Sequence, residues 1–230
     1  MKRLNQLKKP AIVFFSALML MGTPAIGQEK QEEKLKKSTE IVVDFNEMNE
    51  LIPSEIVEAS EGIIIIPKLI NAGLGIGGKR GKGVAMVRNS DGTWSDPVFV
   101  TMTGGSIGFQ AGVQAIDLVL LFKNRETLTS VKKGTFTLGG GVSVAAGPVG
   151  RSAGADTDYK MEAEVYSYSR SKGLFAGISL NGTAIEIDEP STTTFYGRGV
   201  TSNTIFSGSS KSSEKATVET LKQAVSDLYQ

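Results

Sequence analysis

Residues 61–83 read EGIIIIPKLINAGLGIGGKRGKG, and the fold turns on how this stretch is understood. A short apolar run, Ile63 to Ile66, leads into glycines at 73, 75, 77 and 78, with Lys79, Arg80 and Lys82 close behind. Gly73 to Lys79 spells G-x-x-x-x-G-K, and Gly73, Gly75 and Gly78 spell G-x-G-x-x-G. Both patterns cradle phosphates in nucleotide enzymes, but only where a strand hands over to a helix and, for the first, where Ser or Thr follows the Lys to hold Mg²⁺. Here Arg80 follows, then Gly81 and Gly83, and VAMV continues as strand. The pattern therefore predicts two glycine-rich strands around a tight turn, with no nucleotide.

Working outward, the segment from Gly62 to Gly197 reads as strands. Ser90-Asp91-Gly92 lies between GVAMVRN and TWSDPVFV, and Asn181-Gly182 between LFAGISL and TAIEI. Asp-Gly and Asn-Gly accept the positive φ of tight turns, so both junctions predict hairpins. Residues 104–122 form a long glycine-spaced strand or two. NRETLTSVKKG predicts a short helix capped by Asn124, and strands return in 134–150 and 159–170. On the N-terminal side, Ser38 starts a predicted helix to Asn49 with Ile41, Val42, Phe45 and Met48 on one face, and Pro53 opens a second short helix. On the C-terminal side, a polar joint at 201–213 precedes a helix over 214–229 whose Val218, Leu221, Val225 and Leu228 share a face. The expected fold is α+β: a strongly twisted, mainly antiparallel, glycine-rich sheet, curled toward a barrel, with N- and C-terminal helices packed on it. Helix-on-sheet packing is the expected use of the Ile41 face, and Trp94 is expected in the core.

Residues 1–27 have the form of an export signal: Lys2, Arg3, Lys8 and Lys9, an apolar run from Ala11 to Met21, and the small-x-small site Ala25-Ile26-Gly27. The expectation is an exported, periplasmic or envelope-associated protein cleaved after Gly27, with 28–37 a charged linker or a frayed helix start and 38–230 the domain. An uncleaved N-terminal anchor is the alternative. Without residues 1–27 the chain has three more acidic than basic residues. That balance argues against bulk electrostatic binding of nucleic acid.

Composition also limits the chemistry. The chain has no His and no Cys, so Gly104-Gly105-Ser106-Ile107-Gly108 cannot serve as the nucleophile elbow of a Ser-His-Asp triad. The usual zinc ligands and a thiol nucleophile are missing too, as are disulfides. Ser169-x-x-Lys172 matches a Ser-Lys pattern, but so do Ser130-x-x-Lys133 and Ser212-x-x-Lys215, and the first ends a strand rather than starting a helix. Asp156 and Asp158 lack the remaining ligands of a calcium loop. No catalytic residue, metal or cofactor is expected.

Five blocks in order, DGTWSDPVFV (91–100), GGSIGFQAGVQAIDLVLLF (104–122), AAGPVGR (145–151), YSYSRSKGLFAGISLNG (166–182) and FYG (195–197), resemble the SYLF domain family. That resemblance implies a lipid-binding module: eukaryotic members bind phosphoinositides with help from an amphipathic N-terminal segment, and some bind actin. The chain shows no SH3 or FYVE neighbour, and its export signal restricts the carried-over expectation to anionic lipid or a membrane surface. An envelope structural or protein-interaction domain is the alternative. The candidate lipid-binding residues are Lys79, Arg80 and Lys82, in a turn whose backbone N–H groups can form an anion nest, together with Arg151, Arg170 and Lys172 in the family-like blocks. For the arginines of this second group, a structural pairing with Asp117 or Asp156 fits equally well.

Overall fold

The computed structural model describes residues 23–47, 52–129, 135–147, 163–171, 174–175, 178–211 and 213–229. Its centre is a pair of very long strands, β1 (Gly62–Val87) and β2 (Val98–Phe122), antiparallel from Gly62↔Phe122 to Ala85↔Val98. The connection between them contains the expected Asp91-Gly92 turn, with Gly92 at φ 85°. Among the described residues five short strands join the sheet: β3 (Thr135–Leu138), β4 (Val144–Ala146), β5 (Val165–Ser171), β6 (Leu174–Phe175) and β7 (Thr183–Ile187). β1 occupies one edge of β2, while β7 and β5 share the other edge at opposite ends of it. Among the described strand pairs only β4–β5 is parallel. The mainly antiparallel, curled α+β architecture expected of the sequence is thus present.

The glycine-rich stretch is one continuous strand, which corrects the expectation of two strands around a turn. It is nevertheless sharply folded. A side chain on Gly77 would collide with the Ala72 carbonyl and the Gly73 Cα, although a straight strand holds residues four apart about 13 Å from each other. Beyond the bend the ribbon doubles back. Gly81 passes against Ile66 and Leu69, and Gly83 against the Ile65 carbonyl, residues that a straight strand would separate by about 40–60 Å. The bend coincides with a register break, where Gly73↔Gly112 gives way to Gly75↔Gly108 and Leu74 faces three residues of β2. A second break sets Pro67 and Lys68 opposite Asp117 alone, with Lys68 at φ 59° and its N–H donated to Asp117 Oδ1 at 3.0 Å.

Alternation along the doubled ribbon feeds two cores. Ile63, Ile65, Val84, Met86, Phe99, Val119 and Leu121 lie under helices, and Ile64, Ile66, Leu69, Ala85, Val100, Met102, Leu118 and Leu120 face the opposite way. The helical side is supplied by α1 (Thr23–Glu47), α2 (Ser54–Glu58), α4 (Glu189–Tyr196) and α6 (Ala216–Asp227); α3 (Arg125–Thr129) and α5 (Ser202–Phe206) close the other core. Val218, Leu221 and Val225 of α6 are fully buried, as their spacing predicts, and Trp94 packs in the same core against Tyr229 at 5.0 Å between ring centres.

Three expectations need correction. QEKQEEKLKK (28–37) is not a linker but part of α1, because Glu, Gln and Lys are strong helix formers and Leu35 buries completely one turn before Ser38. Ser38 accordingly lies inside the helix, not at its cap; Ile41, Val42 and Phe45 are buried as expected, and Met48 lies outside the described residues. Asn181-Gly182 forms a turn, but TAIEI (β7) pairs with β2 and β3 and not with the preceding segment. The region 189–206 contains two helices. Asp188 caps α4 by accepting the Ser191 N–H at 3.1 Å, and Gly197 at φ 101° ends it. Thr201 and Thr204 form a reciprocal cap on α5, which buries Ile205 and Phe206 within the supposed joint.

The doubled ribbon gives a sharp test. Gly83→Ala, which drives a methyl into the Ile65 carbonyl, is expected to cost about 1–3 kcal/mol. Gly105→Ala, which meets open space, is expected to stay within about 0.5 kcal/mol. Urea denaturation of both variants checks the contrast.

Candidate functional site

Strand parity decides the fate of the first basic cluster. Gly77, Lys79, Gly81 and Gly83 point to the closely packed side; Ile76, Gly78, Arg80 and Lys82 point away from it and are exposed. Lys79 is only 5% exposed, and its ammonium donates to the Ser179 carbonyl. Burial pushes its pKa below the usual lysine value. Arg80 and Lys82 lie two residues apart on the same face, the direction in which Val84 and Met86 are covered by helices farther along the strand. The backbone around all three pairs with β2, Lys79↔Gly104 through Lys82↔Thr101. These residues therefore sit on a strand and not in an anion-binding turn.

Lys82 is ion-paired with the Asp188 cap at 2.8 Å. Lys34 of α1 reaches the same spot. Burial lowers its pKa first and the nearby Lys82 charge second, with Asp188 opposing both. The Lys34 ammonium donates to Gln31 Oε1 at 2.9 Å and stands 5.3 Å from the Phe99 ring centre. Gln31 in turn donates to Ser191 Oγ at 2.9 Å. Two lysines thus share one carboxylate, and the local charge stays positive. Among the described residues Arg80 has no ion-pair partner. Its cross-strand line is Thr103 and Ala184, while that of Lys82 is Thr101 and the exposed Glu186.

Arg170 behaves differently from Arg80. Its guanidinium, 11% exposed, lies 2.5 Å from Asp44 of α1 and 3.8 Å from Asp117 beside the Pro67–Lys68 break, with the Phe45 ring 5.8 Å away. It ties helix, β5 and ribbon together, so the structural pairing left open by the sequence is realised with Asp117, and Asp44 is the partner the sequence did not suggest. Arg151, Lys172 and Asp156 lie outside the described residues. Sequence reasoning missed Lys34, hidden in the supposed linker.

Beyond Arg80 the same strand runs to the bend, and residues 69–78 and 104–116 contain no charged side chain at all. Leu74, Ile76 and Val113 are 79%, 81% and 75% exposed there. The exposed stripe of β1 therefore passes from apolar at the bend to cationic at Arg80 and Lys82.

The fold defines an α+β domain built on a doubled β-ribbon. A family model described as "Las17-binding protein actin regulator" (Ysc84) matches residues 103–228. The chain is 37% identical over 186 residues to LAS seventeen-binding protein 3 of Saccharomyces cerevisiae, covering 77% of this chain and 40% of that protein. Protein YSC84 of the same yeast is 38% identical over equal shares. Human SH3 domain-containing YSC84-like protein 1 is 32% identical over 183 residues, 76% of this chain and 53% of its own length. The chain belongs to this Ysc84, or SYLF, domain family, as its motifs led one to expect, and it spans about half the length of these relatives or less.

Lys79 supplies a check on the parity argument. With its pKa depressed from 10.5, the folded chain binds fewer protons than the unfolded chain in the window just below 10.5, so this group makes stability rise with pH there. Lys79→Met is expected to remove that rise and to leave neutral-pH stability within about 1 kcal/mol. Urea melts at neutral pH and between pH 8 and 10 read both.

Proposed function

We propose that this domain binds anionic phospholipid at a membrane surface without transforming it, through the exposed cations of β1. The observation that carries the reading is the pair Arg80 and Lys82, displayed side by side on an exposed strand face, with Lys34 adding positive charge and only Asp188 in direct contact to offset it. Each lysine or arginine held near an anionic bilayer contributes about 1 kcal/mol, falling off within a Debye length. Such binding is weak and salt-sensitive by itself. Lys79 and Arg170, although named by the sequence, make no direct contact in this reading, because each is already engaged inside the fold.

The export signal read at residues 1–27 favours the lipids of a bacterial envelope, and phosphatidylglycerol and cardiolipin supply the required phosphodiester charge. α1 spans Thr23–Glu47, so cleavage after Gly27 would leave a chain beginning inside that helix. The second reading, a protein-interaction domain, is favoured by the names of the relatives, which speak of Las17 binding. It requires binding that persists at high salt and does not depend on vesicles.

Co-sedimentation with vesicles containing phosphatidylglycerol tests the proposal. Arg80→Ala and Lys82→Ala are each expected to weaken low-salt binding roughly fivefold, and Lys79→Met to leave it unchanged. Equal loss in all three, or binding indifferent to vesicle charge, overturns it.

A further inference from the structure

The sharp bend of the ribbon leaves several of its described apolar side chains in solvent. Among the described residues the exposed large apolar side chains are Val43, Ile70, Leu74, Ile76 and Val113. Four of these five lie on residues 70–76 of β1 and 113 of β2, at or next to the fold. A soluble surface rarely gathers apolar side chains in one place without using them. Nor does the bend need them: its compactness comes from glycines, with Gly77 seated on Ala72 and Gly73. Leu74 and Ile76 are left projecting.

What covers them is indicated by charge. Over 69–78 and 104–116 the ribbon carries no ionised group that would have to be dehydrated. The first charges encountered along β1 in either direction are basic, Lys68 on one side and Lys79, Arg80 and Lys82 on the other. On β2 the first is Asp117, whose carboxylate already accepts the Lys68 N–H and faces Arg170. Arg80 follows Ile76 by four strand residues, about 13 Å. This spacing lets an apolar side chain sit at the boundary of the acyl chains while the guanidinium remains among headgroup phosphates, since the interfacial zone on each side of the hydrocarbon is about 5–10 Å deep and long cationic side chains snorkel toward it.

We infer that the folded tip of the β1–β2 ribbon is a membrane wedge: Leu74, Ile76 and Val113 enter the interface of an anionic bilayer, and Arg80 and Lys82 hold the phosphates around them. The inference rests on the surface-binding function proposed above and adds a depth and an orientation to it. It also accounts for how a handful of cations can hold a domain at a membrane in the presence of salt. Apolar insertion is not screened, whereas the cation contacts are.

The absence of cysteine from the chain makes the test clean. Ile76→Cys and, as a distant control, Lys211→Cys, which is exposed and outside the ribbon, are each labelled in the full chain with an environment-sensitive fluorophore. They are then mixed with vesicles of phosphatidylcholine and phosphatidylglycerol. Insertion predicts a blue shift and shielding from aqueous quencher at position 76 alone. The double variant Leu74→Ser, Ile76→Ser is expected to keep its low-salt sedimentation and to lose at least tenfold in binding at 150 mM salt. If the unlabelled chain sediments with these vesicles while the label at 76 stays in water, the wedge is wrong and surface adsorption stands. If the chain does not sediment even at low salt, both fall. If the label at 76 is shielded only by an added protein and not by vesicles, the tip is a protein contact and the wedge is again wrong.

Discussion

A two-stranded ribbon can double back on itself only where side chains are missing on the inside of the fold. In this domain that requirement falls on Gly73, Gly77, Gly81 and Gly83. Gly77 lets the strand close on Ala72, and Gly81 and Gly83 let the returning half lie against Ile65, Ile66 and Leu69. Everything else hangs from that contact. It brings both ends of β1 and β2 together so that β5 and β7 can share the remaining edge of β2, and it presents one helix-bearing face on which α1, α4 and α6 dock. Hydrophobic burial over the two resulting cores then supplies the stabilisation.

The close packing also sorts the charges. With alternate positions of β1 committed to the tight side, Lys79 has nowhere to go but inward, and Arg80 and Lys82 nowhere but outward. Arg170 is drawn into the seam between α1 and the ribbon by two carboxylates. Of the four described cations proposed as lipid ligands from sequence, the fold thus keeps two on the surface and sets two to work internally, while Lys34 joins the surface pair from an element the sequence presented as a tether.

How far the chain could be read in advance follows from contrast between neighbouring residues. Val218, Leu221 and Val225 stand out from polar neighbours, and Asp91-Gly92 sits between two strand patterns; both were legible, and so was the Ile41–Phe45 face. The α4 helix was not, although Asp188, Pro190 and Gly197 are its start and stop signals, because TTTFY between them favours strand by composition. The α5 helix hid for a similar reason, its Thr201–Thr204 cap being indistinguishable from a polar joint. Within GGKRGKG there is no apolar–polar alternation to follow, so the direction of each lysine was illegible from charge alone. The usable signal was the glycines themselves: positions 77, 81 and 83 share a parity, that parity is the crowded side, and Lys79 shares it. The membership of the Ysc84 family was legible from the ordered blocks. Those blocks, however, map onto β2, β5 and the helix ends, elements that build the scaffold, and so they point to the fold more directly than to a contact surface.

Because the pairing of β1 with β2 runs unbroken from Gly75 to Ala85, the sidedness of this stretch is a matter of counting. Removing or adding a single residue there would exchange the two faces of everything beyond it, sending Arg80 and Lys82 into the packed interior and turning Lys79 to solvent. An insertion or deletion of even length keeps that sidedness, and one of odd length keeps it only where an irregularity such as that at Leu74 absorbs the odd residue.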